Sequence, residues 1–112
     1  MDLIFLSSDA ISLPTLEALA RGEVNDLRIV AVITNPDRRS GRGKKLQRNV
    51  VAAKAEELGI PVHQTPKLTR ADFDSLPSFD AALVFAFGQI LPKAVLALRP
   101  GLFLNVHASP LP

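Results

Sequence analysis

Residues 81–96, AALVFAFGQILPKAVL, decide the fold. Seven apolar residues, Ala81 to Phe87, are bounded by Gly88, and four residues later Pro92 stands where the first turn of a helix accepts it. A strand apolar on both faces is one that helices cover from both sides, so this stretch reads as strand, glycine turn and proline-started helix, PKAVLAL. In that plain reading the two phenylalanines belong to the core. The alternative is that Gln89 and the backbone near Gly88 recognise a flat polar ligand.

The same alternation extends outward. LIFL (Leu3 to Leu6) is a first strand ending in Ser7-Ser8-Asp9, and PTLEALARG brings Leu16, Leu19 and Ala20 onto one helical face before Gly22. RIVAVIT (Arg28 to Thr34), rich in β-branched residues, is a second strand stopped by Asn35-Pro36. VVAAKAEELG predicts a helix closed by Gly59, and IPVH a short third strand. Thr69 and Asp72 have capping-box spacing and predict a brief helix before Pro77. LFLNV (Leu102 to Val106) is the fifth strand. Strands and helices that alternate in this way predict an α/β fold: a mainly parallel sheet with helices on both faces. Ligands of such sheets bind beyond the carboxyl ends of the strands. The loops there are Ser7 to Asp9, Asn35 to Arg48, Ala86 to Leu91 and Asn105 onward.

Composition narrows the chemistry. The 112 residues suit one domain with one core. The chain has no cysteine, which removes thiolate nucleophiles, disulfides and thiolate metal sites. The two histidines, His63 and His107, lie too far apart for a local metal motif, so no metal is expected. No apolar run approaches the ~18 residues of a membrane span, and no basic segment precedes the first apolar stretch; cytoplasmic residence is the expectation.

The net charge of +2 conceals a cluster. Arg38, Arg39, Arg42, Lys44, Lys45 and Arg48 are six of the thirteen cations, leaving seven against eleven acids elsewhere, a balance of −4. A nucleotide-binding P-loop is excluded in this window because position 38 is arginine and position 45 lysine, and Leu46 breaks Gly-x-Gly-x-x-Gly, so ATP and NAD are rejected. Two readings remain: a solvated, mobile turn, or a loop that closes on a nucleic-acid backbone, its cations lacking the aromatics that stack on bases.

Asn105 and His107 stand two apart at the end of the last strand, so their side chains project from one face and can address one oxygen atom, as in an oxyanion site. Without Asn105, His107 reads equally well as a histidine hydrogen-bonded at a strand end. His63, without such a partner, reads as structural.

Together PTLEAL, NPDRRSGRGKKL, GIPV, FAFGQILPKAVL and LNVHASPLP resemble the N-terminal domain of the methionyl-tRNA formyltransferases, in order and spacing, across nearly the whole chain. Asn-Val-His-x-Ser-x-Leu-Pro resembles the signature of folate-dependent formyltransferases generally, and the Gly-Arg-rich basic loop that of the tRNA-directed branch. The resemblance implies a Rossmann-like, doubly wound domain that transfers a formyl group from 10-formyltetrahydrofolate to the amino group of methionyl-initiator tRNA, for translation initiation. It implies catalytic roles for Asn105 and His107. Phe87, Gly88, Gln89, Ile90 and Leu91 would flank the pterin, Ser109, Pro110, Leu111 and Pro112 would line the folate site, and Arg38, Arg39, Arg42, Lys44 and Lys45 would meet tRNA. The family's proton-accepting aspartate, later strands and C-terminal tRNA-binding barrel would lie past Pro112, so residues 1–112 are expected to be part of a catalytic domain, inactive alone, from an enzyme that is monomeric at full length. The chain departs from the family in having Ser7-Ser8-Asp9 for Gly-Thr-Pro, Asn35 for glutamine and Phe87 for tyrosine. Glycinamide ribonucleotide formyltransferase and formyltetrahydrofolate hydrolase are the nearest competing activities, and a noncatalytic folate- or RNA-binding module is the reading of another class.

Overall fold

A computed structural model describes residues 1–40, 43, 45–98 and 102–106. Five strands, β1 (Asp2–Leu6), β2 (Arg28–Thr34), β5 (Val62–Gln64), β6 (Ala81–Phe85) and β7 (Phe103–Val106), form one sheet in the order β5-β2-β1-β6-β7, with every pairing parallel. Two short strands, β3 (Arg38–Ser40) and β4 (Lys45–Gln47), pair antiparallel as a separate hairpin. The chain winds outward from β1 through β2 to β5, then returns to the other side of β1 for β6 and β7. The reversal leaves a topological switch point between β1 and β6, as expected of a doubly wound sheet.

Helices α1 (Leu13–Ala20) and α2 (Val50–Glu57) cover one face. Leu16, Leu19, Val51 and Ala55 pack there on Leu3, Phe5, Val32 and Phe85. The opposite face is thinner. Leu68, Phe87 and Val95 of the short helix α3 (Lys93–Leu96) seal Ile4, Leu6, Ala31, Ile33 and Val84, with Phe73, Phe79 and Phe103 clustered at the margin. A register shift between Leu3 and Ile4 of β1, opposite Ile29 and Ala31, adds one residue, Val30, to β2. This bulge turns Val30 and Ala31 toward the same core, so the alternation of β2 stays in phase with β1 on either side.

Local chemistry accounts for the ends of the elements. Asn49 caps α2, its Oδ1 accepting from the N–H groups of Val51 (2.9 Å) and Ala52 (3.1 Å), and Gly59 ends the helix at φ 75°, a conformation that glycine adopts without strain. The Thr69–Asp72 capping box forms around a 3-10 turn, Arg70–Phe73. Pro61, lacking an N–H, delays the third parallel strand to Val62, while its carbonyl still accepts from Val32 N at 2.9 Å.

Three sequence expectations change. The fourth parallel strand stops at Phe85 rather than Phe87, because Ala86 takes a left-handed conformation at φ 52°. The helix expected over PKAVLAL is one turn only. The basic segment contains an antiparallel ribbon where a turn was expected.

β7 is an edge strand. Leu102, Leu104 and Val106 are exposed, Leu104 by 54%, on the side that α1 and α2 cover elsewhere. Among the described residues, this apolar edge pairs on one side only, the kind of edge to which another strand can add. Among the described residues, no helix is long and apolar enough to cross a membrane.

Two expectations follow for stability. Leu16→Ala, which empties a fully buried site between α1 and the sheet, should lower the unfolding free energy by about 2–5 kcal/mol, measured by urea denaturation. Asp72 supplies a pH dependence: burial raises its pKa, but hydrogen bonds from His63 and Thr69 outweigh that and leave it below the ordinary value. A depressed native pKa contributes stability that is present above the unfolded carboxylate range and lost as pH falls through the native value. The urea midpoint should therefore fall as the medium is acidified below about pH 4, and Asp72→Asn should flatten that fall.

Candidate functional site

The loops after β1, β2 and β6 meet at the switch point and are joined by hydrogen bonds. Ser7 N–H donates to the Ile33 carbonyl and Ser8 N–H to the Ala86 carbonyl, both at 3.1 Å, so the chain leaving β1 is tied to both neighbours. The buried Ser7 hydroxyl donates to Ser12 Oγ at 2.6 Å, and Asp9 Oδ1 accepts from Ile11 N–H at 2.9 Å. Hydroxyl and carboxylate groups thus close this turn. Ser7, Ser8 and Asp9 stay outside the left-handed region, so the turn needs no glycine.

Asn35 is the centre of the site's polar framework. Its N–H donates to Ser8 Oγ (3.0 Å), its Nδ2 donates to the Phe87 carbonyl (3.1 Å), and its Oδ1 accepts from Gln89 Nε2. Gln89 Nε2 also donates to the Thr65 carbonyl (2.9 Å), and Gln89 Oε1 accepts from Leu68 N–H (2.7 Å). Both ends of the Gln89 amide are therefore occupied by protein groups. The pair braces the loops after β2, β5 and β6 against one another.

A second framework lies beneath the hairpin. Asp37 Oδ1 accepts from Asn49 N–H (2.9 Å) and Gln64 Nε2 (2.8 Å). Arg48 Nη1 reaches both Asp37 oxygens (3.2 and 3.3 Å) and Gln64 Oε1 (2.9 Å), and Arg48 also pairs with Glu56. Thr34 Oγ1 donates to Asn49 Oδ1 at 2.9 Å, linking the helix cap to β2. The Asn49 backbone N–H, the Gln64 amide and Arg48 together hold Asp37's pKa below the ordinary value despite partial burial. Between the frameworks opens a cleft of about 710 Å³, bordered by Ser8 and Asp9, Asn35 to Arg38, Gln47 to Val50, Pro66, Ala86 and Gly88. That volume suits a small-molecule ligand.

The residues singled out from sequence fall into four groups. Asn105 lies on β7 opposite Val84, exposed, on the sheet face that carries Phe103. Phe87 is 2% exposed and part of the core, Leu91 packs against the same core, and Ile90 is 92% exposed, so this loop offers a ligand Ile90 and the backbone at Gly88. Arg38, Arg39 and Lys45 stand on the hairpin, where Arg38 pairs with Gln47 and borders the cleft. His107, Ser109, Pro110, Leu111, Pro112, Arg42 and Lys44 lie outside the described residues. His63 Nε2 meets Asp72 Oδ1 at 2.9 Å, a structural contact at a strand end. Among the described residues, no three His, Cys, Asp or Glu side chains converge as a metal site.

Sequence reasoning missed Asp37, Asn49, Gln64 and Thr65. Asn49 before Val50-Val51 carried a helix-capping signal, whereas the convergence on Asp37 depends on β2–β5 pairing and had no local signal.

Solved structures with this arrangement include phosphoribosylglycinamide formyltransferases from Anaplasma phagocytophilum (TM-score 0.65, 24% identity, all of this chain and 52% of that one) and Bacillus halodurans (TM-score 0.63, 16% identity, all of this chain and 58% of that one), a likeness of fold. Curated relatives are closer in sequence. Proteins named methionyl-tRNA formyltransferase from Synechococcus sp. (strain CC9605) and Trichlorobacter lovleyi are 47% and 44% identical over 118 and 113 residues, covering 100% and 98% of this chain. The chain spans about a third of their length, 33% and 35%. The profile described as Formyl transferase matches residues 1–112. With a 3-2-1-4-5 parallel order, a cleft at its switch point and this match from end to end, the chain belongs to the formyl transferase family.

Proposed function

We propose that residues 1–112 form the N-terminal part of a catalytic domain that transfers a formyl group from 10-formyltetrahydrofolate to the amino group of methionyl-initiator tRNA, in cytoplasmic translation initiation. The observation that carries this reading is the position of Asn105, exposed at the carboxyl end of β7 and so at the end of the sheet where the switch-point cleft opens. The name of the relatives supports methionyl-tRNA as the acceptor and formyl as the group moved; the folate donor rests on the sequence resemblance. The cleft's size and polar rim suit one end of a folate, with the Gly88 backbone and Ile90 available to the pterin; the share of Ser109, Pro110, Leu111 and Pro112 in that site rests on the sequence resemblance alone.

In this mechanism the acceptor's neutral amine attacks the formyl carbon and negative charge gathers on the formyl oxygen. The Asn105 carboxamide donates to that oxygen, and a protonated His107, two residues on in the sequence, supplies positive charge to it. The amine proton passes to a carboxylate supplied from beyond Pro112. The bond between the formyl carbon and the folate nitrogen then breaks, and that nitrogen takes up a proton. Arg38, Arg39, Arg42, Lys44 and Lys45 meet phosphates of the acceptor RNA, a contact that does not require base recognition.

In the full-length enzyme, Asn105→Ala should lower kcat by about 10²-fold or more with little change in folate affinity, read from steady-state kinetics and analogue titration. Near-normal turnover would remove Asn105 from the mechanism. Replacing Arg42 and Lys44 together by alanine should raise the KM for tRNA and make its logarithmic salt dependence shallower by about two contacts, folate binding being spared. An unchanged salt slope would instead favour a small amine acceptor such as glycinamide ribonucleotide.

A further inference from the structure

We propose that Asp37 is the positioning residue of the basic hairpin: its carboxylate clamps the base of the β3–β4 ribbon to the body, fixing which cations face the cleft and so setting affinity for the RNA acceptor. The last clause rests on the RNA reading above; the clamp itself does not.

A ribbon of two three-residue strands is marginal on its own. Burial supplies little to hold it, because Arg38, Arg39, Lys45, Leu46 and Gln47 are all exposed. The base is different. Asp37 immediately precedes β3, Arg48 and Asn49 immediately follow β4, and the Asp37 carboxylate joins them through the Asn49 N–H and the Arg48 guanidinium. Gln64 Nε2 ties the same oxygen to β5 and also donates to the Asn35 carbonyl (3.2 Å). Both ends of the hairpin are thereby fastened to one strand end by hydrogen bonds to an ionised acceptor, the stronger kind.

The clamp has a directional consequence. Cross-strand partners share a face, so Arg38 and Gln47 lie on one side of the ribbon, and Arg39 and Leu46 on the other. Arg38 and Gln47 border the cleft. A slip of one residue would exchange the two faces, and Asp37 holds the register from the end where the strands are joined to the body. Arg48 is at the same time withdrawn from the cationic set, since its guanidinium is engaged by Asp37, Gln64 and Glu56. It acts as an anchor rather than as a phosphate contact.

The test uses the full-length protein with Asp37→Ala, Asp37→Asn and Arg38→Ala. Asp37→Ala should be cut by trypsin within residues 38–48 about tenfold faster than the parent while the thermal midpoint of the body changes little, because local opening, not global unfolding, exposes the ribbon. Its KM for methionyl-tRNA should rise about tenfold, with kcat and the KM for 10-formyltetrahydrofolate held within about twofold, the split expected when a binding contact common to ground and transition states is lost. Asp37→Asn retains an oxygen for the Asn49 and Gln64 donors and should recover part of both effects. Unchanged tryptic cutting would overturn the clamp. Faster cutting with an unaltered tRNA KM would overturn its role in RNA affinity, and so would a parallel loss in kcat, both KM values and thermal midpoint. If Arg38→Ala also leaves the tRNA KM and its salt dependence unaltered, the RNA reading fails, while the tryptic result still decides the clamp.

Discussion

The hydrogen bond from Ser8 N–H to the Ala86 carbonyl spans the one place where the sheet changes direction of growth. β1 and β6 are neighbours in the sheet but lie some 75 residues apart in sequence, so no turn sets the height at which the chain leaves each of them. Ladder pairing ends with Leu6 and Val84, and the Ser8–Ala86 bond is what fixes the two departing loops beyond it. Ala86 meets this demand at φ 52°, a conformation costing an L residue roughly 1–2 kcal/mol. The strain sits at the mouth of the cleft and is held by that bond together with the Asn35–Phe87 contact one residue on. Backbone strain commonly persists at functional sites, where the surroundings over-determine it. Here it turns the chain out of β6 early enough for Phe87 to enter the core and Gly88 to face solvent.

From that junction the polar frameworks spread in opposite directions. Asn35 and Gln89 bind together the loops after β2, β5 and β6, and Asp37, Asn49, Gln64 and Arg48 bind those under the hairpin. They are joined at Asn35 and Gln64, since Gln64 donates to the Asn35 carbonyl as well as to Asp37. The side-chain amides of Asn35, Gln64 and Gln89 each donate and accept, so one side chain spans two loops where a purely apolar contact would leave backbone groups unpaired. No side-chain nitrogen or oxygen buried among the described residues lacks a partner.

How much of this was legible in the sequence depended on the range of the interactions. The five parallel strands, both long helices and the Thr69–Asp72 cap are driven by local patterns of apolar residues, prolines and capping groups, and they stand close to where the sequence put them. The end of β6 did not, because AALVFAF is apolar to its last residue and the bond that breaks the strand comes from Ser8. Nor did the basic ribbon: glycines and like charges argue for a turn, and only the pairing of Arg38 to Ser40 with Lys45 to Gln47 reveals two strands. Gln89 was legible as polar and near the site, but the bonds from Asn35, Thr65 and Leu68 that engage its amide come from 21 to 54 residues away. The family resemblance rested on contiguous motifs and was accordingly readable; the side chains that hold those motifs together were not.

In the proposed mechanism the position of Asn105 would have a kinetic meaning beyond its chemistry. Among the described residues it stands on the last strand of the sheet, paired on one side with β6, with Leu104 and Val106 facing solvent. Edge strands with few buried contacts belong to the least stable parts of a fold and open locally at free energies well below global unfolding. A rate measured on any form that leaves this edge uncovered is therefore a product of two quantities, the intrinsic rate and the fraction of molecules in which β7 is seated. Whatever covers the edge then acts as an activator simply by raising that fraction, without itself approaching the reacting atoms.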